Sequence, residues 1–130
     1  MREILFRGKR KDNGEWVDGS LQCFKGVSIF DRDIKNFVVV HPETVGQYTG
    51  LTDKNGKKIF EGDIVNCKTR NYKFVSFAVE WYQRDCRYTI GRGKNGELQN
   101  YVMSSDFEYE IIGNIHDNPE LLEVDNGKID

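Results

Sequence analysis

Residues 45–65, VGQYTGLTDKNGKKIFEGDIV, constrain the fold more than any other part of the sequence. Asn55-Gly56 lies between two strand-like runs. This dipeptide is the strongest short-range signal for a β-hairpin, because a type I′ turn needs two residues with positive φ. After the turn, apolar and acidic positions alternate over residues 60–64, which is typical of a half-buried strand. The sequence therefore predicts a hairpin whose second part is a strand over residues 59–65.

The same order of residues occurs near the start of the chain. Both stretches run through an aromatic residue, a glycine, Asn-Gly, an apolar pair, an acidic residue before glycine, and an aliphatic residue. The first copy covers residues 6–21 and the second covers residues 48–64. Two copies are too few to stack a solenoid, so the pattern indicates two related hairpins. Chance similarity stays open as the alternative, because Asn-Gly turns are common in hairpins.

Alternation of apolar and polar residues predicts three further strands, at residues 15–21, 74–81 and 107–115. Asn95-Gly96 predicts another tight turn, before a strand over residues 98–103. In the strand at 74–81, the expected inward residues are Val75, Phe77, Val79 and Trp81, and the expected outward residues are Ser76, Ala78 and Glu80.

Residues 118–123 fit one short helix, with Asn118 as its N-cap and Pro119 at its first position. The expected fold is therefore all-β, built of antiparallel hairpins with Asn-Gly turns and one short C-terminal helix. At 130 residues, with 8 Phe, 6 Tyr, 13 Gly and only 2 Pro, the chain has the size and composition of one mainly β domain. We expect this domain to cover residues 1–123, followed by a flexible tail at 124–130.

The cysteines and the hydropathy of the chain point to a cytoplasmic protein. Cys23, Cys67 and Cys86 are odd in number, lack CxxC spacing and follow no signal sequence. We therefore expect unpaired, structural thiols in a reducing compartment. No stretch is long and apolar enough to predict a membrane span.

Candidates for catalysis are few. The two histidines, His41 and His116, lie outside any recognisable catalytic or metal-binding motif. Glu61 and Asp63 are two apart on the same predicted strand face, where neighbouring carboxylates could hold a hard cation or raise one another's pKa. The favoured interpretation is that both acids face solvent and blunt a sheet edge. We therefore expect no catalytic residue, no metal, no cofactor and no enzymatic activity.

Three motifs carry a resemblance to a known family. RGKRKDNGEWVDG near the start, TVGQYTGLTDKNGKKIFEGDIV in the middle and IIGNIHDNPELLE near the end occur in this order. Together they resemble the YopX family of phage and prophage proteins over about residues 1–123. The resemblance implies a small all-β protein of bent, coiled, partly barrel-like sheets that assembles as a ring-like oligomer. It also implies a phage or prophage origin and a bacterial cytoplasm, but it implies no activity.

Charge is distributed unevenly along a chain whose formal net charge is −2. Residues 106–130 are rich in acids, whereas basic side chains cluster in two loops, around 7–11 and 84–94. The candidate contact residues are Arg7, Lys9, Arg10, Lys11, Arg84, Arg87, Arg92 and Lys94.

Two interpretations of the basic loops stay open. With nearby tyrosines at 72, 82 and 88, these loops could contact phosphates and stack on bases. They could instead meet an acidic patch on a neighbouring subunit, which we favour because the near-neutral total argues against strong nonspecific binding. The sequence thus predicts a non-enzymatic, homo-oligomeric accessory protein that binds an unidentified host or phage macromolecule. The alternative is a nucleic-acid-binding module.

Overall fold

The structure is a computed structural model that describes residues 3–84, 86–91 and 101–122. In these ranges the chain forms twelve strands and two short 3-10 helices, with no α-helix. The predicted all-β class is confirmed, and so is a curled, half-barrel sheet. No helix in the described ranges is long and apolar enough to cross a membrane. The turn predicted at Asn95-Gly96, the start of the strand at 98–103 and the tail at 124–130 lie outside these ranges.

The chain divides into two compact units, Met1–Gly50 and Leu51–Asp130. The prediction of a single domain over residues 1–123 stays a prediction. In the first unit, β1 pairs with β2 on one side and with the start of β6 on the other, and β3, β4 and β5 form a separate antiparallel sheet. The buried core of the first unit consists of Val17, Ile29, Val38 and Val40. The strands are β1 (Phe6–Lys9), β2 (Trp16–Gly19), β3 (Leu21–Gln22), β4 (Ser28–Asp31), β5 (Asn36–Val39) and β6 (Gly46–Thr52), the last of which ends in the second unit.

The strand predicted at residues 15–21 is interrupted at Ser20, where the chain passes from one sheet to the other. A Cβ atom on Gly19 would lie 2.1 Å from the carbonyl oxygen of Phe30, so no side chain fits there. The amide of Phe30 donates to the carbonyl of Ser20 at 3.0 Å. This close approach of two backbones is the reason for the break, and strict alternation does not reveal it.

In the second unit, five antiparallel strands are ordered β11-β10-β9-β8-β12. Their core consists of Ile59, Val65, Cys67, Phe77, Val79, Ile90 and Tyr109. Near the end of the chain, Pro119–Leu122 forms a 3-10 helix where a short helix was predicted. The strands are β7 (Lys58–Phe60), β8 (Asp63–Lys68), β9 (Lys73–Tyr82), β10 (Arg87–Gly91), β11 (Tyr101–Val102) and β12 (Glu108–Asn114), and β7 pairs with β6.

The hairpin at Asn55-Gly56 is confirmed, but its turn is not type I′. The amide of Gly56 donates to the carbonyl of Asp53 at 2.9 Å, and the amide of Asp53 donates to the carbonyl of Lys57 at 2.8 Å. Gly56 has φ +83°, whereas Asn55 is not among the described residues with positive φ. This is the three-residue loop in which a type I turn is followed by a left-handed glycine. The Asn13-Gly14 hairpin also places its glycine at positive φ, +75°.

The strand predicted at residues 59–65 is wrong in its middle, because Glu61 and Gly62 form a turn between β7 and β8. Gly62 has φ +91°. The carboxylate of Asp63 accepts the amide hydrogen of Phe60 at 2.8 Å, and Asp63 is only 2% exposed. Asp63 therefore holds the turn together inside the protein. The expected pair of solvent-facing acids, Glu61 and Asp63, does not exist.

The predicted faces of the strand at 74–81 are partly wrong. Phe77 and Val79 are buried as expected, but Val75 and Trp81 are exposed, and the supposedly outward Ser76 and Ala78 are buried. Ser76 has φ +61°, and the register between β8 and β9 shifts between Val65 and Cys67. A β-bulge at this point turns the strand, so residues before and after it no longer follow one alternation.

All three cysteines are free, as predicted. Cys67 is buried in the second core, but Cys23 and Cys86 are exposed. Cys23 lies beyond β3, which ends at Gln22, so its thiol is not part of a buried core as a structural thiol would be.

Candidate functional site

Two of the predicted contact residues pack around a tryptophan in the first unit. The guanidinium carbon of Arg7 lies 4.7 Å from the centroid of a ring of Trp16, and the Lys9 ammonium nitrogen lies 5.8 Å from it. Lys9 is the cross-strand neighbour of Trp16 in the β1–β2 pair, which brings its side chain to this ring. Both cations thus have an intramolecular cation–π contact, which is favourable at distances up to about 6 Å.

Arg10 is held by acids that the sequence pattern did not associate with it. Its Nε and Nη2 donate to the two carboxylate oxygens of Asp12 at 3.0 and 2.7 Å, and its Nη1 lies 3.8 Å from Asp31. The hydrogen bond between them raises the pKa of Arg10 and lowers the pKa of Asp12. Lys11 is exposed, and its backbone amide donates to the carbonyl of Val39 at 3.0 Å. Arg10 is therefore already engaged by two acids from outside the 7–11 segment.

Arg84 and Arg87 lie on the hairpin between β9 and β10, and both are exposed. Close to them, the rings of Trp81 and Tyr88 meet edge to face across the two strands, with centroids 5.0 Å apart. Arg92 and Lys94, the other members of this predicted cluster, lie outside the described residues. The described part thus brings two cations and two aromatic rings to one hairpin.

A cavity of about 610 Å³ opens in the second unit. The lining residues are mostly apolar or aromatic: Cys67, Thr69, Arg70, Asn71, Tyr72, Phe74, Ile90, Tyr101, Val102 and Phe107. This volume falls within the range of small-molecule sites, about 300–1,000 Å³. Cavities of this kind combine apolar walls with few polar groups at fixed positions.

Aromatic rings form one wall of this cavity. The centroids of Phe74 and Tyr101 are 4.5 Å apart with the ring planes tilted by 37°, and Tyr72 lies 6.3 Å from Phe74 with a tilt of 34°. Phe77 supports this wall from the core, edge to face with Phe74 at 5.7 Å. Tyr72 is 68% exposed, so its ring stands at the mouth of the cavity rather than in the core.

The floor of the cavity is uncharged. Burial raises the pKa of the Cys67 thiol to about 11, although its hydrogen bond with Tyr109 opposes this. Burial likewise raises the pKa of Tyr109 to about 12, and the Tyr109 hydroxyl accepts the amide hydrogen of Ser104 at 2.9 Å. Both groups are therefore protonated near neutral pH. A thiol with a raised pKa is a poor nucleophile, because the thiolate is the reactive form.

The buried carboxylate of Asp53 also serves the structure. It accepts amide hydrogens from Asn55 and Lys57 at 2.9 Å and from Ile111 at 3.2 Å. Burial alone would raise the pKa of Asp53, but these hydrogen bonds outweigh it and the pKa is lowered. The ionised carboxylate thus fastens the β6–β7 loop to β12.

Sequence reasoning missed the cavity because the residues that form it come from distant places in the chain. Tyr72 is the one member of the wall that the sequence suggests, as a residue that could stack on a base. No group of three or more potential metal ligands occurs in the described ranges. The expectation that the protein lacks catalytic and cofactor-binding residues stays a prediction.

The fold and the cavity define a small all-β protein with a ligand-sized apolar cavity in its second unit. The chain belongs to the YopX protein family, because the sequence model of that family matches residues 5–123. The resemblance predicted from the three motifs is therefore confirmed.

The crystal structure of protein EF1440 from Enterococcus faecalis is similar to this one. The match has a TM-score of 0.57 and 24% sequence identity, and it covers 95% of this chain and 100% of that chain. At this identity the similarity shows a shared fold alone. No curated protein matches the chain.

Proposed function

We propose that the protein is a non-enzymatic accessory protein of a phage or prophage, which self-associates and binds another macromolecule in the bacterial cytoplasm. The observation that carries this proposal is an apolar sheet face in the first unit. On β5, Val38 is buried in the core, whereas its neighbours Phe37 and Val39 are 42% and 53% exposed. A strand with one solvated face normally places polar residues on that face.

The exposed residues of β5 are not isolated. Across the strand pair, Phe30 meets Phe37 edge to face with centroids 5.2 Å apart, so the apolar surface continues onto β4. Ile34, in the turn between these strands, is also exposed. We call this surface, formed by Phe30, Ile34, Phe37 and Val39, the β5 face. Contiguous exposed apolar surface usually marks a contact with another molecule.

The position of β5 favours a second copy of the chain as the first partner. β5 is the end strand of the order β3-β4-β5; the amide of Lys11 donates to the carbonyl of Val39, and the amide of Phe37 donates to the side-chain oxygen of Asn36 at 2.8 Å, so two of its backbone groups have partners within the chain. An end strand presents backbone groups that another strand can pair with. Lys11 borders a hollow of about 410 Å³ beside Phe37 and Val39, and its exposed charge would make such a contact directional, because the neighbouring Asp12 is already paired with Arg10.

Sedimentation equilibrium at micromolar concentration tests this proposal. We expect the wild type to associate at low and high salt, because the contact is apolar, and a Phe37→Ser, Val39→Thr variant to be a monomer. Trp81→Ser, which removes an exposed aromatic residue from the second unit, is the matched control and should still associate. A monomeric wild type at both salt concentrations would reject the proposal.

A second candidate function is nucleic-acid binding by the β9–β10 hairpin. The specific observation is that Arg84 and Arg87 are exposed next to the Trp81–Tyr88 pair. Arginines can contact phosphates while exposed rings stack on bases. A mobility-shift assay on a mixed oligonucleotide pool tests this: binding that weakens with salt in the wild type and is lost in Arg84→Gln, Arg87→Gln supports it. Equal binding by the variant and the wild type contradicts it.

A further inference from the structure

We propose that the cavity of the second unit, lined by Tyr72, Phe74, Tyr101 and Arg70, binds a nucleobase that carries a phosphate group. This site is separate from the β5 face, because all of its described lining residues belong to the second unit. The proposal therefore does not depend on self-association.

The aromatic wall is suited to a planar ring. Tyr72, Phe74 and Tyr101 all line the cavity, with the centroids of successive rings 6.3 and 4.5 Å apart and tilts of 34° and 37°, so aromatic faces and edges border the space. Flat heterocycles stack on such faces, and every nucleobase has a π-face that can do so. An aliphatic chain would fill the space without using this arrangement.

The charge at the cavity mouth selects an anion. Arg70 is the one charged side chain among the described residues that line the cavity, and it is exposed. Lys68 and Lys73 pair across β8 and β9 next to its loop, but Lys68 is flanked by Glu108 of β12 and neither lysine lines the cavity, so the positive charge at the mouth comes from Arg70. The planar guanidinium of arginine matches the oxygens of a phosphate in a two-bond geometry.

The loop that carries Arg70 has a defined conformation. The amide of Thr69 donates to the carbonyl of Tyr72 at 2.9 Å, and the amide of Tyr72 donates to the Thr69 hydroxyl at 3.0 Å. These two bonds close residues 69–72 between β8 and β9, and they hold the backbone from which the side chains of Arg70 and Tyr72 extend. The amide side chain of Asn71 also lines the mouth and supplies a donor and an acceptor for a base edge.

The floor agrees with a neutral ring rather than a cation. Ile90 and the protonated thiol of Cys67 close the cavity from the core. Neither offers a negative charge to the part of the ligand that reaches deepest. The ring therefore enters the cavity, and the phosphate stays at the mouth with Arg70.

Two sources supply this chemistry, a free mononucleotide and an exposed base of a single strand. Isothermal titration with AMP, GMP, CMP and UMP tests the first source. Fluorescence anisotropy with a labelled eight-nucleotide single strand tests the second. We expect saturable binding in at least one of the two assays. Binding only to the single strand assigns the source as a nucleic acid, and binding to mononucleotides assigns it as a free nucleotide.

Two exposed residues provide the decisive variants. Tyr72→Leu should weaken binding about tenfold, as expected for the loss of one stacking ring. Arg70→Gln should weaken nucleotide binding by a similar factor and leave binding of the matching nucleoside, which lacks the phosphate, unchanged. The matched controls are Phe24→Leu and Arg32→Gln, an exposed aromatic residue and an exposed arginine of the first unit, which should bind like the wild type.

Three outcomes would overturn the proposal. One is no binding of any nucleotide or single strand at millimolar ligand. Another is binding that neither Tyr72→Leu nor Arg70→Gln weakens. The third is binding of a fatty acid that Tyr72→Leu reduces, without any nucleotide binding. In each case the β5 face is tested separately, by sedimentation of the Phe37→Ser, Val39→Thr variant.

Discussion

Both units expose apolar side chains, but in the first unit they form one face of a short sheet, whereas in the second unit several apolar and aromatic side chains line a cavity. In the first unit, the sheet of β3, β4 and β5 has strands of only two to four residues, and Phe37 and Val39 remain outside. In the second unit, five strands, including the ten-residue β9, bring Phe74 and Tyr101 together. An uncovered apolar sheet face is suited to contact with another macromolecule, and a cavity of this size is suited to a small ring.

The hairpin loops of the two units differ in the burial of their aspartates. Asp12, in the loop after β1, binds the side chain of Arg10 at the surface. Asp53, in the loop after β6, is buried and accepts three backbone amide hydrogens, including that of Ile111 in β12. A buried carboxylate that satisfies several backbone donors contributes more to stability than an exposed ion pair.

Replacing Asp53 should give the largest loss of stability. In Asp53→Ala, amides that the carboxylate now satisfies lose their partner, and each buried donor left unsatisfied costs about 1–3 kcal/mol. We expect a loss of about 3 kcal/mol in the free energy of unfolding, measured by urea denaturation. Asp12→Ala is the matched control and should unfold at nearly the wild-type urea concentration. Equal losses in the two variants would contradict the difference between the loops.

The pH dependence of unfolding provides a second readout for Asp53. Its pKa is lower in the folded protein than in the unfolded chain. The stability that it contributes is therefore present above the unfolded pKa and is lost as the pH falls through the folded pKa. Asp53→Ala should consequently lose less stability than the wild type when the pH is lowered from neutral into the acid range.

The next largest loss of stability is expected when a side chain is added at Gly19, where the chain passes from one sheet of the first unit to the other. In Gly19→Ala, the new methyl group would lie 2.1 Å from the backbone oxygen of Phe30, and one of the two strands must move. We expect a loss of about 1–3 kcal/mol in unfolding free energy, the usual range for overpacking. Gly113→Ala in the second unit is the control. Its methyl group would lie 2.6 Å from Oδ1 of Asn118, a side-chain atom that can shift at the cost of its hydrogen bond with the amide of Asn114, so its loss should be smaller than that of a clash with a backbone carbonyl.

Local sequence chemistry predicted the hairpins, because a turn depends on a few adjacent residues. It did not predict where a strand stops. The apolar–polar alternation of the sequence continues through the turn before Asp63 and through the bulge at Ser76. Alternation in the sequence therefore does not show whether the backbone stays extended. The wall of the cavity could not be predicted for another reason. Phe74 and Tyr101 are brought together by strand pairing, and no local signal joins them.

Alkaline pH should destabilise the core of the second unit by a smaller, gradual amount. Burial raises the pKa of Cys67 from 9.0 to about 11. Stability from this group is complete below the unfolded pKa and is lost as the pH rises towards the folded pKa, because the unfolded chain releases the proton first. We expect the melting temperature to be constant up to about pH 8 and to fall above pH 9. Cys67→Ala should reduce the slope; an unchanged slope would contradict this role of the thiol.

The smallest effect is expected from reductant, which should not change stability in either unit. Cys23, Cys67 and Cys86 are all free, so no disulfide is available to be reduced. Melting curves with and without dithiothreitol should coincide.

The thiols should differ in reactivity, because Cys23 and Cys86 are exposed and Cys67 is buried with a raised pKa. With Ellman's reagent in the native protein, two thiols should react rapidly, and the third only on unfolding. Rapid reaction of all three would show that the floor of the cavity is open to solvent, and would remove the contrast between an exposed face in the first unit and a closed core in the second.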